Sequence, residues 1–425
     1  MADTEDTTGK STEQQKKGKD ITIRLASQNG SVEAIVELQE NEDPARPPHL
    51  VKTTKGSATS EAPPTKDQPQ ETHIIISTGS GHKQAQHFWK DVVSPILDTA
   101  SPDRRGNFHE HITQSETTIL ELTRDVFFPA ADAGKPQRII LLSGDGGIVD
   151  LVNGLSAKPA STSYIAPQVN LLPLGTANAL YHSINAAQTT QNTWGLPALS
   201  SHTTKSLPTF TATFSPGARL LVDEARREEA LPTNPAGQCI LHGAVVCSWG
   251  MHASLVADSD SAEYRKFGIE RFKMAAKEAL YPADGSAPHA YRGKVSVLKG
   301  AEWHVLPEEE HLYTLATLVS HLEAPFCISP ASKPLDGSLH LVRFGPTTGD
   351  EAMRIMGLAY QGGKHVDDGK VRYEEVDGVR ITFEEGEGRW RRVCVDGKIV
   401  RVEEGGWVEV RKGEVRVVDV VVTDG

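Results

Sequence analysis

Three apolar runs, each closed by a turn containing glycine, set the frame of this chain. Ile74-Ile-Ile76, Ile139 to Leu142 and Val169 to Leu172 stop at Ser77-Thr-Gly-Ser-Gly81, Ser143-Gly-Asp-Gly-Gly147 and Pro173-Leu-Gly175-Thr176. Runs of that length read as buried strands, and glycine makes such turns comfortable because positive φ and a bare backbone are open to it. Past the second turn the pattern changes period: Ile148, Val149, Leu151, Val152 and Leu155 form one apolar stripe at helical spacing. Lys83 to Leu97 predicts a helix disturbed or ended near Pro95, and Ser115 to Val126 predicts another. Residues 72–183 therefore read as β-α-β-α-β. That is a doubly wound α/β domain with its glycine turns at the ends of parallel strands, where ligands bind.

The flanks follow other patterns. Residues 184–207 read as a polar loop around Trp194, Phe210 to Leu221 and Gly237 to Trp249 as strands, 222–236 as a charged turn, and Glu263 to Leu280 as a helix. From Arg292 onward short alternating runs separated by turn glycines predict strands, with one helix at Met353 to Tyr360. Residues 184–425 thus form a β-rich, sandwich-like domain, and the site is expected in the cleft between the two domains. Residues 1–71 read as a polar, largely disordered tail. Residues 1–19 lack the apolar surface to order themselves. Ile21 to Leu25 and Val32 to Leu38, around Asn29-Gly30, suggest a short hairpin, and 40–70 look like a linker rich in Pro, Lys and Thr.

Composition narrows the function classes. A chain of 425 residues predicts two or three domains. The net charge of −12, with no dominant basic patch, argues against a nucleic-acid partner and against adhesion to anionic lipid by charge alone. Cys239, Cys247, Cys327 and Cys394 are scattered, as in a reducing compartment. No apolar run reaches the roughly 20 residues of a membrane span. The first residues carry no signal-peptide pattern, and Ala2 stands where myristoylation requires glycine. The expectation is a cytoplasmic protein; no feature of the sequence sets an oligomeric state.

The turns carry the chemistry. Successive amides in a glycine turn, with the free N–H groups of a first helical turn, form a cradle for phosphate oxygens. Asp145 is the one carboxylate inside that cradle, a proton acceptor or a magnesium partner. The turn is not the dinucleotide fingerprint, because Val149 stands where the last glycine belongs. Gly9-Lys10-Ser11 is not a P-loop, because Thr4 replaces its first glycine. At the next turn Thr176 and Asn178 present polar groups at a helix start, where an ordinary N-cap is the alternative reading.

Ser143-Gly-Asp-Gly…Asn153-Gly-Leu followed by Pro173-Leu-Gly-Thr-Ala-Asn-Ala-Leu resembles the diacylglycerol kinase catalytic family, which includes the sphingosine and ceramide kinases. Ser248-Trp-Gly-Met, Glu263-Tyr-Arg-Lys-Phe-Gly-Ile-Glu-Arg-Phe272 and Tyr291-Arg-Gly293 are most similar to the sphingosine kinase branch. The resemblance runs patchily from about Ile74 to about Val420. It implies transfer of the γ-phosphate of ATP to a lipid hydroxyl, with Mg2+, and a lipid substrate presented at a membrane surface that the protein meets peripherally. It implies Asp145 as the catalytic acceptor of the alcohol proton and a partner of magnesium. Ser77, Gly79, Gly81, Ser143, Gly144, Gly146, Gly147, Gly175, Thr176, Asn178, Arg265, Arg271 and Asp396 would line the nucleotide. Four departures stand out. Ser77-Thr78 replaces Asn-Pro, Asp150 replaces a glutamate, Lys398 reverses the charge of the acid in Asp-Gly-Glu, and Ser254 replaces an aspartate that binds the sphingoid head group, with Asp258 and Asp260 close by as substitutes after a local shift. A non-catalytic nucleotide- or lipid-binding member, and a kinase for a soluble substrate, are the competing readings.

Overall fold

The structure, a computed structural model, describes residues 19–26, 32–56, 70–100, 107–186, 192–413 and 416–423. Its first layer corrects the reading of residues 1–71 as mostly tail. β1 (Asp20–Ala26), β2 (Val32–Gln39) and β3 (His49–Lys55) form an antiparallel sheet in the order β1-β2-β3. Ile21, Ile23 and Leu25 alternate with Ala34, Val36 and Leu38 on its buried face. β3 lies inside the supposed linker. Most of its side chains face solvent, so its sequence carries no apolar alternation, and the backbone ladder to β2 holds it. Residues 1–18 and the expected turn at Asn29-Gly30 fall outside the described residues.

The α/β domain is built on β4 (Glu71–Ile76), β5 (Phe108–Ile112), β6 (Gln137–Ser143) and β7 (Gln168–Pro173), all parallel, in the order β5-β4-β6-β7. The chain leaves β4 to one side for β5 and returns to the other for β6. The topological switch therefore falls beside β4, and ligand crevices open at such points. Alternation along these strands divides the core. Ile75, Ile139 and Leu141 face the Asp145–Leu155 helix and the β-rich domain. Ile74, Ile76, Ile140 and Leu142 face the helical run 85–100 and, beyond it, β1 and β2. That run does not end at Pro95. A wide turn, Trp89–Val93, precedes the proline and accommodates its missing N–H, and Ser94–Ala100 continues the helix.

The domain boundaries also differ from those read in the sequence. β8 (Thr204–Ser206) and the last strand, Asp419–Val421, both join the parallel sheet, the latter alongside β7. The α/β domain thus reaches past residue 183 and reclaims the far end of the chain. The rest is a sandwich of two antiparallel sheets. One runs from Arg227–Ala230 to Arg372–Val376, with Lys398–Arg401, Arg392–Val395 and Val246–Gly250 in its middle. The other runs from Cys239–Gly243 to Glu302–Val305. The strand Arg227–Ala230 occupies the expected charged turn. The expected helix over 263–280 is two, Ala262–Arg265 and Glu270–Leu280, parted by Gly268 at φ +54°. Among the described residues no helix is long and apolar enough to cross a membrane.

Candidate active site

The three glycine-bearing loops meet above the carboxyl ends of β4, β6 and β7. The hydroxyl of Ser80 donates to Ser77 Oγ at 2.7 Å and lies 3.2 Å from Ser143 Oγ, tying the first loop to the second. Gly81, at φ +46°, comes so close to the third loop that a Cβ would stand 2.5 Å from the Leu174 carbonyl oxygen. Gly144 and Gly175 touch backbone to backbone: a Cβ on Gly144 would lie 2.7 Å from Gly175 Cα. Gly147 packs on Ser143, whereas Gly79 and Gly146 face open space. Thr176 stands half-buried on the third loop. Asn178 sits at φ +54°, with Oδ1 accepting the Gly175 N–H at 2.8 Å and Nδ2 donating to the Pro173 and Gly175 carbonyls. Its amide is spent on folding the loop, which corrects the reading of Asn178 as a nucleotide contact.

Asp145 opens the Asp145–Leu155 helix, with Gly144 extended at its N-cap. Its side chain reaches across to the next loop, where Oδ2 accepts the Ala179 N–H at 2.8 Å and Oδ1 the Leu180 N–H at 3.0 Å. One carboxylate thus joins the start of two helices. Burial pushes its pKa above the ordinary carboxylate value, and the two amides oppose that shift without cancelling it. A carboxylate of raised proton affinity is a better proton acceptor than a free one, and this one sits where the glycine-bearing loops meet.

The β-rich domain supplies a cationic wall. Arg265 forks onto Asp260 at 3.0 Å through both Nε and Nη2 and lies 3.7 Å from Glu116 of the α/β domain. Arg271 reaches the same Asp260 at 3.5 Å and is largely buried, and among the described residues its Nε has no hydrogen-bond partner. Burial holds its pKa below the usual arginine value, the neighbouring Arg265 adds to that lowering, and Asp260 opposes it. Gly268, between the two arginines, packs near His82 of the first loop. Both arginines are anchored by one acid, Asp260.

Three expectations fail. Asp396 is spent on the backbone: its carboxylate accepts the N–H groups of Ala244, Val245 and Val246 at 2.5 to 3.1 Å. Burial, with the nearby charge of Asp145 adding, pushes its pKa up to about 7 against those amides. It braces a turn, with both carboxylate oxygens on backbone amides. Ser254 is buried, with its hydroxyl 2.7 Å from Tyr291 Oη, so it is closed off from any head group. Asp258 is neutralised by Arg392 at 2.8 Å and holds no free charge for an ammonium.

Sequence reasoning missed the links between the domains. Lys398 Nζ lies 2.8 Å from Asp150 Oδ1, and Asn153 exchanges two hydrogen bonds with the backbone of His242. Both partners on the α/β side come from the helix that Asp145 starts. The motif contained them, but nothing in its spacing says what they face. The acids present do not fit a protein-held magnesium ion. Both oxygens of Asp145 accept amides, Asp150 is paired with an ammonium, and Asp396 is enclosed. Among the described residues no three of His, Cys, Asp and Glu converge on a metal position.

Residues 71–209 match the family model of the diacylglycerol kinase catalytic domain. This segment is similar to a diacylglycerol kinase catalytic domain. Its limits take in β4 to β8 and leave out the strand Asp419–Val421 of the same sheet. Beyond it, the chain is 23% identical to sphingosine kinase 1 of Homo sapiens over 366 residues, covering 78% of this chain and 87% of that protein. It is 21% identical to sphingosine kinase 2 of Arabidopsis thaliana over 213 residues, covering 50% and 38%. A crystal structure of a protein from Bacillus anthracis str. Sterne, assigned as a diacylglycerol kinase, superposes with a TM-score of 0.52. It covers 83% of this chain and 97% of its own at 13% identity, which establishes a common fold. The α/β domain and the sandwich together therefore share the fold of that structure.

Proposed function

We propose that this chain is a lipid kinase that transfers the γ-phosphoryl group of ATP to a hydroxyl of a sphingoid base or related lipid. The observation that carries the reading is Asp145, a carboxylate of raised proton affinity at the junction of the glycine loops. The alcohol oxygen attacks the γ-phosphorus, the bond from that phosphorus to the β–γ bridging oxygen breaks, ADP leaves, and Asp145 takes the alcohol proton. The transition state of such a transfer is loose, so the protein mainly positions reactants and offsets charge. The open backbone at Gly79 and Gly146 admits phosphate oxygens, and Arg265 and Arg271, the latter with an unsatisfied N–H, face the transferring group. The protein works in the cytoplasm and collects its substrate from a membrane surface.

The competing reading, a nucleotide- or lipid-binding member without turnover, draws on the closed Ser254 and the Lys398 pair. The two separate in one assay: labelled γ-phosphate from ATP offered with sphingosine, ceramide and diacylglycerol in mixed micelles. Labelling of at least one lipid is the expected result. ATP binding without labelling of any of them supports the second reading. Because Asp258 is neutralised and Ser254 is shut away, a neutral head group is expected to be labelled at least as well as the sphingoid amine.

The pH profile gives an independent check. A general base acts only when deprotonated, so activity falls as pH drops through its pKa. Burial raises that pKa in Asp145. The acid limb of kcat/KM is therefore expected at a pH above the ordinary aspartate value of about 3.9. A limb at or below that value would assign proton removal to another group.

A further inference from the structure

Asp150 poses a problem that the chain solves in an unusual way. It lies on the Asp145–Leu155 helix, five residues beyond the proposed base, and is 7% exposed. A lone ionised carboxylate at such a site costs several kcal/mol, so it needs a cation or a proton. Burial raises its proton affinity and Glu116 adds to that; Lys398, chiefly, and Arg124 oppose it. Lys398 is the first residue of the Lys398–Arg401 strand, just past the turn at Asp396-Gly397. Asp396 fixes that turn by accepting the amides of Ala244 to Val246. The ammonium is therefore delivered by a braced backbone to within 2.8 Å of Asp150 across the domain junction, with its side chain 29% exposed. Glu116, the other acid near Asp150, is already engaged by Arg265 at 3.7 Å.

We propose that Lys398 is the resident counter-cation of Asp150, occupying the position in which a buried acid beside a phosphoryl-transfer site would otherwise hold a divalent metal ion. The fixed charge is then built into the sandwich and needs no loading. It also ties the sandwich to the α/β domain, so Lys398 acts as a positioning residue for the helix that carries Asp145. The bearing of this pair on catalysis rests on the kinase reading above. The occupancy of Asp150 does not, and the test reads occupancy alone.

The experiment measures Mn2+ binding to the nucleotide-free full chain through the electron paramagnetic resonance signal of free Mn2+, together with thermal melting in MgCl2. The wild type is expected to bind no Mn2+ at Asp150, giving the same titration as Asp150→Asn, and to melt at a temperature indifferent to Mg2+. Lys398→Glu places two carboxylates together. It is expected to gain one Mn2+ site, tighter than any in the wild type by about ten-fold or more, and a melting temperature that rises with Mg2+. Lys398→Glu/Asp150→Asn is expected to lose that site again. A wild-type Mn2+ site that Asp150→Asn removes would overturn the proposal. So would a folded Lys398→Glu variant that gains none. If Lys398→Glu folds only when Mg2+ is present, the same exchange of ammonium for metal is demonstrated. If it does not fold at all, the comparison of wild type with Asp150→Asn decides.

Discussion

Asp145→Asn is expected to abolish transfer of labelled phosphate to lipid while leaving the protein folded. Loss of a positioned general base typically costs about 10²- to 10⁴-fold in rate, and the upper part of that range is expected because Asp145 is the acid that bridges the second and third loops. The structural cost is smaller than the side chain's two hydrogen bonds suggest. An asparagine keeps one acceptor for the Ala179 or Leu180 N–H and turns an NH2 toward the other, a loss of about 1–3 kcal/mol. Against this, burial disfavours the charged form of Asp145, and the neutral amide is free of that penalty. The melting temperature should therefore move by a few degrees at most, and ATP should still bind, since the phosphate cradle is backbone. The measurement pairs a labelling assay with equilibrium nucleotide binding. Wild-type labelling by the variant would remove Asp145 from the chemistry, and loss of binding together with activity would make it a brace between the two loops.

That double duty was only half legible in the sequence. Asp145 and the glycine loops announced themselves because their constraints are local: a strand, a turn that needs a bare backbone, a helix. What the carboxylate touches depends on Ala179 and Leu180, more than 30 positions away. The same limit explains Asp396. An Asp-Gly turn looks alike whether its carboxylate faces solvent, a nucleotide or three backbone amides of a neighbouring strand, and only the fold brings Ala244 to Val246 beneath it. Ser254 and Asp258 were placed by similarity, yet their partners, Tyr291 and Arg392, come from distant strands. The missed elements share a second cause. β3 is solvent-facing, and β8 and Asp419–Val421 are three residues each, too short for any period to show. The parallel pairing of Asp419–Val421 with β7 also joins segments some 250 residues apart, which no local pattern records.

Gly175→Ala is expected to damage both fold and activity, and Gly146→Ala to damage activity alone. At Gly175 a methyl would run into Gly144 Cα and stand 2.8 Å from Asn178 Oδ1, the atom that accepts the Gly175 N–H. The first obstacle is backbone, so no side-chain rotation relieves it. Either the second and third loops part or Asn178 gives up its hold on the turn. Overpacking of this kind costs about 1–3 kcal/mol, visible as a lower midpoint in urea with unchanged slope. Gly144 precedes the proposed base, so parting the loops also drags Asp145 off the amides of Ala179 and Leu180, and misplacing a reacting group by about 1 Å costs roughly 10²-fold in rate. At Gly146 the situation is reversed. A Cβ there meets no atom within 4 Å, and the residue lies in the first turn of a helix, where alanine is tolerated. Its methyl would instead fill the open face of the phosphate cradle. Stability should therefore hold or rise slightly while the KM for ATP increases. Equal destabilisation by both substitutions would mean that the loops do not pack as described, and an unchanged KM in Gly146→Ala would place the triphosphate elsewhere.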